Sequence, residues 1–197
     1  MFLKLTGRPC LVVGAGAIAE SKISSLVETG ANVSVVAPAA TPQVRSWAQE
    51  GKIKWHQRPW VPSDLEGIFL VVAATSAAEL HEQISEEATR RDVLCNIVDV
   101  PGLCDFYYPA VVQRGALQIA ISTAGQSPAL AQRLRKELEE QFGPEYEEWL
   151  VHLGEARDKL FAAVLDPEER KRVLHELATD EAFREFQRAR REARRAG

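Results

Sequence analysis

Two hydrophobic rhythms alternate along the first half of the chain. Residues 9–13, a short apolar run ending at Gly14, have the pattern of a buried strand. Residues 17–29 carry apolar side chains at Ala19, Ile23, Leu26 and Val27, the spacing of one helix face, and Gly30 stops them. A strand over 33–37 is halted by Pro38. A helix over 41–49 follows, with Thr41 as N-cap and Pro42 in its first position. Then come strands over 53–57 and 68–74, an amphipathic helix over 76–91 and a strand over 93–98. Near-continuous apolar strands between helices predict a parallel sheet covered on both faces.

The rhythm then changes. Residues 105–112 and 117–122 read as two strands around Arg114-Gly115, an antiparallel excursion, and 128–142 as a helix with a charged face. From Pro144 onward the pattern is helical and charge-rich, with breaks at Asp166-Pro167 and near Thr179-Asp180. The predicted fold class is α/β: a Rossmann-like, doubly wound parallel sheet, a small strand–helix module and a helical C-terminal tail. The expected divisions are 1–112, 113–146 and 147–197.

Composition narrows the class. The chain has 197 residues, enough for a core without disulfide or metal staples. Hydrophobic residues make up 46% and charged residues 26%, the profile of a globular chain. No apolar run reaches the roughly 20 residues of a membrane span, and the N-terminus has no secretory pattern. Cys10, Cys95 and Cys104 are too scattered for a disulfide framework or a zinc cluster. A cytoplasmic protein is expected. The net charge of -4 hides a basic end, because residues 184–197 hold six Arg against two Glu.

The first strand-to-helix turn carries the clearest chemistry. Gly14-Ala15-Gly16-Ala17-Ile18-Ala19 fits G-x-G-x-x-A between a strand and a helix. Gly14 permits the tight turn, Gly16 admits a pyrophosphate to the backbone, and Ala19 keeps the helix close. Free N–H groups at the helix start hold the anion. Dinucleotide sites often place an acidic residue at the end of the second strand. Here that place is Ala37-Pro38-Ala39, with no arginine for a 2′-phosphate, so the residues favour NAD over NADP.

Two further clusters lie downstream. The fifth strand ends in Asn96-Ile97-Val98-Asp99, at the sheet edge where ligands bind. A carboxylate there, shielded by Phe106, Tyr107 and Tyr108, suits a general base; the plain alternative is an Asp that caps the loop before Pro101-Gly102. Residues 122–128, Ser-Thr-Ala-Gly-Gln-Ser-Pro, precede a helix with Arg133, Arg135 and Lys136. Hydroxyls and free N–H groups there suit a carboxylate, although Ser127 is also an ordinary N-cap.

Together these segments resemble the siroheme synthase N-terminal domain family, precorrin-2 dehydrogenases of which some are also sirohydrochlorin ferrochelatases. The resemblance runs through residues 11–22, then Val35-Val36-Ala37-Pro38 and Ala73-Ala74-Thr75. It continues through Asn96-Ile97-Val98-Asp99, Cys104-Asp105-Phe106-Tyr107-Tyr108-Pro109-Ala110 and residues 120–131, covering about residues 1–142. It implies NAD-dependent dehydrogenation of precorrin-2 to sirohydrochlorin, a hydride passing to NAD and protons to a base. Asp99 falls on the family's catalytic aspartate. Gly14, Gly16, Ala17, Ile18, Ala37, Pro38, Ala39, Thr75 and Asn96 are the expected cofactor residues. Ser122, Thr123, Gly125, Ser127 and Arg133 are the expected contacts to the polycarboxylate substrate.

The resemblance also implies a homodimer built largely through 113–146, with no nucleic-acid or membrane partner. The sequence departs from the family at Ala15, Ala17, Ser21 and Ala124, and the tail after 145 matches weakly. A fused methyltransferase domain is not expected at this length. Insertion of Fe²⁺ or Co²⁺ into sirohydrochlorin stays open. His56, His81, His152 and His175 show no metal-ligand spacing, and His152 on the tail helix is the one considered for a cleft. The competing readings are a non-catalytic NAD(H)-sensing Rossmann dimer and a nucleic-acid-binding redox regulator using the Arg-rich end.

Overall fold

The computed structural model describes residues 2–163 and 166–196, without the side chains of 194–196. Arg194 and Arg195 of the basic end therefore have side chains outside the described set. The chain forms two compact units, divided between Tyr108 and Pro109.

In the first unit, five strands make one parallel sheet: β1 (Pro9–Val13), β2 (Asn32–Val36), β3 (Lys54–His56), β4 (Leu70–Ala73) and β5 (Leu94–Ile97). Their order is β3-β2-β1-β4-β5. Helices α1 (Ala17–Glu28), α2 (Pro42–Gln49) and α3 (Ala78–Arg90) make three of the four crossovers, and the β3-to-β4 connection runs through a short 3-10 turn, Pro62–Leu65. Strand residues alternate between two apolar layers. Cys10 and Val12 pack with Ala19, Ile23 and Leu26 of α1 and Val44 of α2. Leu11 and Val13 pack with Ile84 and Ala88 of α3. Ile23 and Ile84 are fully buried, each contributing about 1.5–3 kcal/mol of burial free energy. The sheet is thus covered on both faces, as the apolar runs predict.

The order of strand addition reverses between β1 and β4, which lie parallel and pair in register from Cys10↔Leu70 to Val13↔Ala73. At such a reversal the loops after neighbouring strands part and leave a crevice. Thr41 caps α2 as expected, accepting from the Val44 N–H at 3.3 Å. One expected strand is shorter. Residues 105–109 do not join a ladder; they strap the end of β5. The Asp105 N–H donates to the Cys95 carbonyl at 2.8 Å, and the Asp105 carboxylate accepts from the Cys95 N–H at 2.8 Å. Those groups are spent on β5, and Pro109 has no N–H to donate.

The second unit opens with the hairpin β6 (Ala110–Arg114) and β7 (Leu117–Ile121), turned at Gly115. Four helices follow: α4 (Pro128–Gln141), α5 (Glu145–Ala162), α6 (Pro167–Leu177) and α7 (Asp180–Ala196). Ser127 caps α4 by accepting from the Leu130 N–H at 3.2 Å. Arg114 closes the other end of α4, donating to the carbonyls of Phe142 at 2.8 Å and Glu139 at 3.0 Å. Asp166 caps α6, so the breaks expected at Pro167 and Asp180 fall at helix starts. Trp149 of α5 is buried against Phe183 and Phe186 of α7. Among the described residues no helix is long and apolar enough to cross a membrane.

Candidate active site

Above the β1–β4 reversal lies a cleft of about 580 Å³, lined by Gly16, Ala17, Ile18, Ala74, Thr75, Ser76, His81, Val98, Asp99 and Val100. Three loops build it, one after each of β1, β4 and β5. Five residues singled out from the sequence line it: Gly16, Ala17, Ile18, Thr75 and Asp99.

The first loop has the geometry an anion requires. Gly16 is the N-cap of α1, and no side chain caps the turn above it. A methyl group at Gly16 would meet nothing within 4 Å. Backbone N–H groups at the start of α1 therefore open toward space that a side chain would otherwise take. Ile18 stays 57% exposed beside them, an apolar surface awaiting cover. Gly14 does a different job. Its φ is +105°, and a Cβ there would stand 2.4 Å from the Ala74 carbonyl oxygen, so it brings the ends of β1 and β4 together. These features fit the pyrophosphate of a dinucleotide.

At the end of β2, Ala37 is buried and its carbonyl accepts from the Trp55 indole N–H at 3.1 Å. Pro38 and Ala39 are exposed beyond it. These three residues stand beside β1 without lining the cleft.

The loop after β4 is held from below. His81 on α3 is buried, and its Nε2 lies 2.7 Å from the Thr75 carbonyl oxygen. Thr75 Oγ1 accepts from the Ala77 N–H at 3.3 Å. His81 was missed as a site residue, yet it shares a stripe with Ile84 and Ala88, the spacing of a core face.

Asp99 sits exposed at the tip of the loop after β5, in the left-handed region at φ +63°. Asn96, three residues earlier on β5, is buried, and its amide donates to the Phe106 carbonyl at 2.8 Å. It anchors the strap that follows β5. Phe106 and Tyr108 pack with ring centres 5.8 Å apart, and burial pushes the Tyr108 phenol up to about 12. Lys22 of α1 places its ammonium 3.9 Å from the centre of the Tyr108 ring.

The 122–128 loop belongs to the second unit. Ser122 Oγ accepts from the Ala124 N–H and Thr123 Oγ1 from the Ser127 N–H, both at 3.1 Å. Ala124 and Gly125 both have positive φ. A hydroxyl that accepts from the backbone keeps its own proton to give to an outside oxygen. Arg133 is 65% exposed and pairs with Glu137 at 3.3 Å, while Arg135 pairs with Glu139. His152 stacks on Trp149, the rings inclined by 21°. Among the described residues no group of three or more His, Cys, Asp and Glu is placed to hold a metal ion.

Comparison with known proteins bears on this geometry. A family described as "Putative NAD(P)-binding" matches residues 1–110, and one described as "Sirohaem biosynthesis protein central" matches residues 114–141. A siroheme synthase of Methylobacillus flagellatus is 43% identical over 139 residues, 71% of this chain and 30% of that protein. Siroheme synthase 1 of Aeromonas hydrophila is 34% identical over 181 residues, 92% of this chain and 39% of that protein. The chain thus spans about a third of the length of these curated relatives. Among solved structures, "SirC, precorrin-2 dehydrogenase" matches with a TM-score of 0.80 and 28% identity, covering 96% of each chain.

Proposed function

The chain belongs to the putative NAD(P)-binding family, and from that premise we propose that it oxidises precorrin-2 to sirohydrochlorin with NAD. The observation that carries the reading is the end-to-end likeness to a precorrin-2 dehydrogenase, beside a cleft of this dinucleotide fold that Asp99 lines.

Two hydrogens leave the substrate, one as a hydride and one as a proton. NAD⁺, when bound, supplies the nicotinamide carbon that accepts the hydride. The uncapped start of α1 at Gly16, Ala17 and Ile18 holds the pyrophosphate. Thr75, its carbonyl held by His81, lines the same cleft. Asp99 receives the proton; its exposure at a loop tip lets it reach a large substrate. In the second unit, Ser122, Thr123, Gly125 and Ser127 offer hydroxyl and amide protons to substrate carboxylates, with Arg133 as a nearby cation. The unit's two-stranded hairpin supports a homodimer, which light scattering of the purified protein tests.

The decisive measurement mixes the protein with precorrin-2 and NAD under anaerobic conditions. The NADH band and the sirohydrochlorin spectrum rise together, and NADP gives a slower rise because residues 37–39 themselves carry no cationic side chain. No reduced nicotinamide from either NAD or NADP overturns the reading.

A further inference from the structure

The loop after β4 is anchored on both sides of one peptide unit. Nε2 of the buried His81 lies 2.7 Å from the Thr75 carbonyl oxygen, which can only accept, so Nε2 carries the imidazole proton. On the other side, the Ala77 N–H donates to Thr75 Oγ1 at 3.3 Å. The peptide bond between Thr75 and Ser76 is trans, so its carbonyl and its N–H point in opposite directions. With the carbonyl drawn toward His81 on α3, the Ser76 N–H is turned away from that imidazole. Among the described residues this N–H donates to no protein group, and Ser76 lines the cleft. The side chain of His81 thus sets where a free donor of this loop points.

We propose that His81 is a positioning residue for the cofactor: by holding the Thr75 carbonyl it presents the Ser76 N–H to an oxygen of the nicotinamide half of the dinucleotide. Topology assigns the half. The pyrophosphate rests on the start of α1, after β1. The adenosine lies toward β2 on one side of β1, and the rest of the dinucleotide crosses toward β4 on the other, where the Thr75 loop begins. The inference rests on the NAD-binding part of the proposed function. It does not depend on the tetrapyrrole or on the proton acceptor.

The first arm uses the wild-type protein and no tetrapyrrole. Backbone amides are followed by ¹H–¹⁵N NMR while ADP or NAD is added. ADP carries the adenosine and the pyrophosphate but no nicotinamide riboside. The Ser76 amide proton moves downfield with NAD and stays near its free position with ADP, because only NAD brings the acceptor. A Ser76 amide that NAD leaves in place, or that ADP moves as far, overturns the proposal. If neither nucleotide binds, the cofactor reading falls and takes the proposal with it.

The second arm compares His81→Phe with His81→Gln by titration calorimetry. Phenylalanine fills the ring's space without the N–H, and the glutamine amide nitrogen can stand where Nε2 stood. His81→Phe binds NAD about tenfold more weakly, the worth of one oriented hydrogen bond, and binds ADP within about twofold of wild type. His81→Gln recovers most of the NAD affinity. A histidine that served packing alone would weaken ADP and NAD alike on replacement. That result, or unchanged NAD affinity in His81→Phe, overturns the proposal. If His81→Phe does not fold, the wild-type arm decides alone.

Discussion

Cys104 grips Ile97 by both its backbone N–H and its carbonyl. Its sulfur accepts from the Ile97 N–H at 3.3 Å, and its S–H donates to the Ile97 carbonyl across a sulfur–oxygen distance of 3.1 Å. The carbonyl of Val100 stands 3.3 Å from the same sulfur. Asp99 lies between those residues, so the thiol closes the loop that presents it. The Asn96 amide also points at the Cys104 sulfur from 3.5 Å; Cys104→Ala removes all four contacts and costs about 1–2 kcal/mol, read from urea unfolding. NADH formation drops while NAD binding persists, since α1 is untouched. Cys104→Ser, which keeps a donor and an acceptor, falls between. A Cys104→Ala protein with wild-type turnover would show that the loop keeps its shape without the thiol.

Asp99 tests the assigned chemistry, and its backbone dictates the substitution. At φ +63° an asparagine is tolerated, whereas alanine adds strain. Asp99→Asn therefore folds and binds NAD as wild type does, and its rate falls by about 10²–10⁴. Isothermal titration with NAD and single-turnover NADH formation read the two properties separately. A protein that only senses NAD(H) would lose neither its binding nor its response.

The elements were legible because their signals are local. Val12, Val35 and Val72 sit in apolar runs that only a two-faced sheet buries, and Thr41 and Ser127 stand where a cap must. The 105–109 strap was not legible. Phe106, Tyr107 and Tyr108 look like a strand, and only the pairing of Asp105 with Cys95 shows where their hydrogen bonds go. The turn at Gly16 and the place of Asp99 follow from strand-end logic. Lys22 against Tyr108 does not, because a helix surface and a loop 86 residues apart meet only through the folded sheet.

Buried thiols set an alkaline limit on the fold. Burial pushes Cys10 up to about 11 and Cys95 up to about 12. The unfolded chain ionises them near the ordinary value of about 8.5. Their stabilising effect is complete below that value and is lost as pH rises toward the folded values, because only the unfolded state has released its protons. The urea midpoint therefore declines from about pH 8.5 upward, and Cys95→Val, which has no proton to release, flattens the decline. At neutral pH both thiols resist alkylation until urea unfolds the protein.

Gly14 and Gly16 separate the turn that builds the fold from the turn that holds the ligand. Gly14 has φ +105°, and a Cβ would stand 2.4 Å from the Ala74 carbonyl oxygen, a backbone atom that cannot rotate away. Gly14→Ala must push β1 from β4 and lowers stability by about 2 kcal/mol or more. Gly16 has φ -84°, ordinary for alanine, and no protein atom within 4 Å of the added methyl. Gly16→Ala thus keeps the melting temperature of wild type. The methyl occupies the space above the uncapped start of α1, where the pyrophosphate must approach, so NAD affinity falls by about tenfold or more. Calorimetric melting and NAD titration on both variants check the contrast. Gly16→Ala with wild-type NAD affinity would move the anion away from this turn, because a ligand resting on those N–H groups cannot ignore the methyl.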